Sequence, residues 1–299
     1  MTSVADFIKL QKVDFHNYIQ LGMSYPSFVT WAGYYIPEFD DKQKRLSKEF
    51  QDDFISFARL RIKNQKDMQN LFTLSLAEAK TDSVNHIYGV INSTFLMSEE
   101  LSSCLEPCLL QIKKKFSNVL TVEPVLACNP ENLSATEAEL ILKAVNENLM
   151  AEIFIFGNID NKITESCFQD FMKELNEKQI KKRLSLSFLK NSSLQLKALS
   201  FCKPSSVFGN TVFAEEKEIT EFLKKNNVKV FFTPDFSEKE NSIENLSRKI
   251  RCLLENGVSV CLGSGLKLFY GSSLSQFSSE LCNKGGFSKK EVESLLQSM

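Results

Sequence analysis

The sequence predicts an α/β fold, a (β/α)₈ barrel of the TIM type with extra helices inserted after the first strand. Three observations lead there. Short apolar runs alternate with longer helical patterns nearly from end to end. The runs number eight, as expected where each strand of a barrel is followed by a helix. No Pro/Gly-rich linker or internal repeat divides the 299 residues. Such barrels typically use about 250 residues as one unit, so residues 1–299 read as a single barrel domain.

The first strand candidate, 13–18, lies in "KVDFHNYIQLG" (Lys12 to Gly22), where an apolar run meets a turn with His16 close to its end. The interval from Gly22 to Asp82 is too long for one crossover and is expected to hold the extra helices. Further strand candidates follow at 87–93, 119–127, 152–157, 184–188, 206–209, 228–233 and 258–262. Capping boxes at Ser134-x-x-Glu137 and Ser288-x-x-Glu291 open two helices. "EEKEITEFLKKNN" places Ile219, Phe222 and Leu223 on one helical face, and "ENLSRKIRCLLENG" does the same with Leu246, Ile250, Leu253 and Leu254. Asn256-Gly257 supplies the C-terminal cap of that last helix. The basic runs Lys113-Lys114-Lys115 and Lys181-Lys182-Arg183 are placed at helix ends, where cations complement the helix dipole.

Composition excludes several classes of function. With 43% hydrophobic and 24% charged residues the chain is an ordinary globular sequence, and a net charge of −1 gives no broad attraction to nucleic acid or to an anionic membrane surface. No apolar run nears the roughly 18 residues of a membrane span, and the first residues, MTSVADFIKL, do not read as a secretory signal. Eight irregularly spaced cysteines read as reduced thiols, so the expected compartment is the cytoplasm.

The motifs resemble those of the adenosine deaminase-like family of the metal-dependent hydrolase superfamily. "KVDFHNYIQLG" resembles K-V-E-L-H-x-H-L. "VFGNTVFAEEKEITEFLKKNNVKVFFTPD" resembles R-I-G-H-G-T, a helix, and a strand ending in C-P-T-S-N. "VSVCLGSGLKLFYGSSLSQF" has the layout of V-T-x-N-T-D-D-P-x-x-F-G-T-S-L. The resemblance spans essentially the whole chain in order and spacing. It implies a purine nucleoside deaminase, converting adenosine and water to inosine and ammonia. Its zinc would be held by both histidines of H-x-H, the histidine of H-A-G-E after the fifth strand, and the first aspartate of T-D-D.

Carried over residue by residue, that machinery is mostly replaced. His16 keeps the first histidine, and Tyr18 stands at the second. H-A-G-E falls on "SFLK", giving Ser187 for the histidine and Lys190 for the acid. The R-I-G-H-G histidine falls on Gly209, or on Asn210 if the register slips by one, and the paired aspartates fall on Gly265 and Leu266. The other histidine, His86, opens the second strand at the opposite end of a barrel. Hydrolytic zinc needs three protein ligands and an open position. The expectation is therefore a catalytically inactive deaminase-like protein with no cofactor and no metal at the vestigial His16.

Two alternatives stay open: a deaminase with a rebuilt site, and a metal-independent enzyme using Lys190 (or His16) as its reactive group. Lys190 could form a Schiff base if desolvated, or pair with Glu123 or Asp235. A cysteine zinc site would draw on Cys128 and Cys261, which share no C-x-x-C motif. The expected binding residues are His16, Tyr18, Gly157, Asn158, Ser187, Lys190, Asn210 and Ser264, with Asn92 and Asn129 completing a ring of small polar side chains at the strand ends. Gly157 and Asn158 stand where the family's fourth strand ends in A-G-D-E. The expected partners are a purine-like small molecule, or a protein partner or second copy. Nucleic acid and membrane are not expected.

Overall fold

A computed structural model describes residues 2–147, 149–235 and 242–297. Eight parallel strands follow one another around a nearly closed barrel: β1 Lys12–Tyr18, β2 Val84–Asn92, β3 Thr121–Cys128, β4 Glu152–Ile155, β5 Lys181–Ser185, β6 Ser206–Phe208, β7 Lys229–Phe232 and β8 Val260–Leu262. Helices lie between them, and most strands are largely apolar because helices cover one face and the lumen the other, β1, β4 and β5 being the ones that bury charged side chains. The outer core packs the helices on the sheet. The lumen is filled by Val13, Phe15, Val90, Val125, Ala127, Phe154, Phe231 and Cys261.

The segment between β1 and β2 carries the expected insertion: helices Tyr25–Ala32, Lys42–Leu46 and Lys48–Arg61 precede the helix Gln65–Thr81 that leads into β2. Aromatic packing holds the insertion against the loop after β8. Phe39 stacks on Tyr25 (centroids 4.1 Å apart), and Phe39 and Phe54 both meet Phe269 at 5.9 and 5.7 Å. Glu78 adds a polar tie, accepting from Ser24, Ser27 and Lys267.

Closure between β8 and β1 depends on a run of small residues. Gly265 donates its amide to the His16 carbonyl (2.7 Å) and accepts from the Tyr18 amide (3.3 Å). Ser264 donates to the buried Asp14 carboxylate through its amide (2.9 Å) and hydroxyl (2.6 Å). A Cβ at Gly263 would lie 2.7 Å from the His16 nitrogen, so only glycine lets the two backbones approach.

A bulge in β1 sets where its side chains go. Asp14 and Asn17 face Ile87 and Gly89, so three steps on β1 oppose two on β2. Phe15 and His16 therefore both enter the lumen, while Asp14 and Asn17 turn to the outer layer and bond Ser264.

Four sequence expectations are corrected. Lys181-Lys182-Arg183 is not a helix end but the start of β5, and the strand expected at 184–188 stops at Ser185. Arg183 is fully buried in the lumen, where it donates to Glu152 and to the Phe15 carbonyl and lies over the Tyr88 ring at 4.4 Å. The Ser134 box is half formed: its hydroxyl caps the Glu137 amide, but the buried Glu137 carboxylate bonds Ser93 (2.6 Å). Leu254, expected on a buried face, remains 38% exposed. The Ser288–Glu291 box and the left-handed Gly257 cap form as expected. Among the described residues, no helix is long and apolar enough to cross a membrane.

Candidate functional site

Parallel strands put all their carboxyl ends on one face, and a cavity of about 150 Å³ opens there. Of the residues singled out in the sequence, His16, Tyr18, Gly157, Ser187, Gly265 and Leu266 line it. Phe154, Phe156, Phe188, Phe208, Tyr270 and Asp235 complete most of the wall.

His16 is the centre of the site, and its surroundings are rings rather than ligands. It is 2% exposed, stacks on Phe231 (4.8 Å) and meets Phe154 (4.8 Å) and Tyr18 (5.1 Å) edge-on. Its Nδ1 is buried without a hydrogen-bond partner. Burial, with the Arg183 charge adding to it, holds the imidazole well below the usual histidine range, so it is neutral. Burial and the neighbouring Asp235 charge push the Tyr18 phenol up, so Tyr18 also stays neutral.

Several expected site residues lie at this face without entering the cavity. Asn92, Asn129 and Asn158 turn their side-chain oxygens to the amides of Thr94, Glu131 and Asp160, closing Asx turns. Asn210 is spent on the Thr233 backbone (2.9 and 3.2 Å), and Ser264 on Asp14. Lys190 is exposed and does not line the cavity, so the desolvation that would activate it as a nucleophile is missing. Its suggested partner Glu123 sits instead 3.1 Å from His86, near the start of β3 at the other end of the barrel.

The glycines explain their own presence. A Cβ at Gly209 would lie 2.6 Å from the Phe232 ring and 2.7 Å from Val230 Cγ1, so a histidine there does not fit the present packing. Gly157 has φ +103, and a Cβ there would lie 2.4 Å from Asn129 Oδ1. Gly265 has φ +65 and is held in the barrel seam.

The residues present do not fit a zinc ion of the deaminase kind. Among the described residues no group of three or more His, Cys, Asp or Glu side chains could hold a metal. Cys128 belongs to the outer core and Cys261 to the lumen, on opposite faces of the sheet, and burial pushes both thiols up, Cys261 to about 12. Sequence reasoning missed the acid Asp14, which was visible as a lone charge in an apolar strand, and the aromatic wall of Phe154, Phe156 and Phe208, which looked like ordinary core.

No family model matches the chain. A curated relative from Treponema pallidum (strain Nichols), named "Putative adenosine/adenine deaminase", is 24% identical over 304 residues covering 99% of each protein. The adenine deaminase of Arthrobacter aurescens superposes with a TM-score of 0.79 at 15% identity, covering 96% of this chain and 91% of that one. The arabidopsis N6-mAMP deaminase gives 0.78 at 15% identity, with 97% and 92% covered. The resemblance to the adenosine deaminase-like family read from the motifs is borne out along nearly the full chain, and these structures share its barrel.

Proposed function

We propose that this adenosine deaminase-like barrel is catalytically inactive and that its mouth holds a base-sized, purine-like molecule without converting it. The observation that carries the reading is the setting of His16, a neutral imidazole enclosed by Phe154, Phe231 and Tyr18. Hydrolytic deamination needs an activated water, an acid for the ring, and groups that orient the attacking hydroxide. At the corresponding positions stand a phenol, a serine hydroxyl, an exposed lysine, two glycines and a leucine. What remains is suited to holding a flat molecule between rings.

The size of the cavity supports a base rather than a nucleotide. Sites for larger ligands usually run to about 300–1,000 Å³, whereas this one offers about 150 Å³. The name of the Treponema relative favours a second reading, a working purine deaminase with a rebuilt site. The two part company on turnover.

Binding is tested by thermal unfolding of the purified protein with adenine, hypoxanthine and their nucleosides. A base present at a hundred times its Kd is expected to add about 2.7 kcal/mol to the folded state. The resulting rise in Tm should vanish when Ser187→Trp fills the cavity. No rise with any base, or an equal rise in the filled variant, would remove the pocket from the proposal.

A further inference from the structure

A second hollow lies on the outside of the barrel, where the inserted helices Tyr25–Ala32 and Lys48–Arg61 meet the helix Gln65–Thr81. Its volume is about 350 Å³, and it shares no lining residue with the mouth cavity. Trp31 and Leu74, both half-buried, make its apolar wall, and Arg61, Asp67 and Thr73 bring polar groups to it. The indole N–H of Trp31 donates to the Asp67 carbonyl (3.2 Å), which fixes the ring. Arg61 spends only Nε, on the Ala32 carbonyl (3.4 Å), and both terminal nitrogens of its fork are left over. Asp67 spends one carboxylate oxygen on the Lys63 amide (3.0 Å), and the other takes no bond among the described residues. Although both line the hollow, Arg61 and Asp67 form no ion pair with each other. The Thr73 hydroxyl is buried without a hydrogen-bond partner among the described residues, a costly state for a polar group that nothing else satisfies.

We propose that this hollow binds a free α-amino acid with an aromatic or branched apolar side chain. Its carboxylate takes the two spare nitrogens of Arg61, a charge-assisted and bidentate contact. Its ammonium takes the spare oxygen of Asp67, and its side chain lies against Trp31 and Leu74. The Thr73 hydroxyl can donate to the one group or accept from the other. A phosphate or a simple carboxylate meets Asp67 with nothing to offer it, and a simple amine meets Arg61 in the same way. A ligand carrying both charges a short distance apart satisfies the two at once. The volume falls within the usual range for small-molecule sites, about 300–1,000 Å³. Nothing here depends on whether the mouth binds or converts a purine.

Calorimetric titration of the full chain with L-phenylalanine, 3-phenylpropanoate and phenethylamine tests this. The amino acid should bind about tenfold more tightly than either compound that carries a single charge. Trp31 is the sole tryptophan of the sequence, so its emission should change with the same midpoint as the heat. Arg61→Gln should weaken L-phenylalanine about tenfold and leave phenethylamine no weaker than before. Asp67→Asn, which keeps an acceptor for the Lys63 amide, should weaken L-phenylalanine as much and leave 3-phenylpropanoate no weaker. No heat at millimolar L-phenylalanine, or equal affinity for the three compounds, overturns the proposal. So does heat without a change in Trp31 emission, or binding that is as tight in both variants as in the unmodified chain.

Discussion

Replacing Glu152 by alanine is expected to cost about 3–5 kcal/mol of folding stability. Arg183 has no exposed surface and sits among Phe15, Tyr88 and Phe231 in the lumen, with Glu152 as its charged partner. Removing the carboxylate leaves a guanidinium that cannot shed its proton, with the Phe15 carbonyl as its remaining hydrogen-bond acceptor among the described residues. The pair itself contributes little net stability, because both ions were taken out of water to form it. The double variant Glu152→Leu/Arg183→Met should therefore recover much of the loss. Urea unfolding of the three variants checks this, and a loss below about 1 kcal/mol for Glu152→Ala would contradict the buried pair.

Gly263→Ala should be nearly as damaging, at about 3 kcal/mol, the upper end of the usual range for overpacking. Its Cβ would lie 2.7 Å from the His16 nitrogen and 2.9 Å from the His16 oxygen. Both are backbone atoms, which a rotamer change cannot move aside. The collision falls on the seam where Gly265 meets His16 and Ser264 meets Asp14, so it threatens barrel closure rather than one contact. Gly33→Ala is the control. It has φ +84 but nothing within 4 Å, leaving only backbone strain of about 1–2 kcal/mol. Equal urea midpoints for the two variants would contradict a tightly packed seam.

Most of the barrel was legible because buried parallel strands are written as short apolar runs, and all eight fall close to their expected places. β5 was displaced because Lys181, Lys182 and Arg183 do not look like strand residues. The Arg183 charge is tolerated inside through Glu152, a partner 31 residues earlier that no local pattern reveals. That Tyr18, Ser187 and Gly265 lie around the cavity was legible once the motifs were aligned. The fate of the asparagines was not. Asn92, Asn129 and Asn158 looked like a polar ring, but a short amide bonds the backbone two residues on as readily as it faces a cavity. The aromatic wall was hidden for the opposite reason: a phenylalanine in a strand has the same sequence signature in a core and around a ligand. The bulge that sends both Phe15 and His16 inward depends on the register against β2, which the strand's own residues do not encode.

Ammonia release by the purified protein tests the central claim most directly. With adenosine, deoxyadenosine or adenosine monophosphate, and with zinc added, the expected result is no release above a control without protein. On the proposed reading Tyr18→His should not revive it, because Ser187, Lys190, Gly209, Gly265 and Leu266 then still occupy the positions aligned with the other groups of the machinery, and parts that act as a unit are not restored singly. Turnover that survives repurification and is abolished by His16→Ala would contradict the inactive reading.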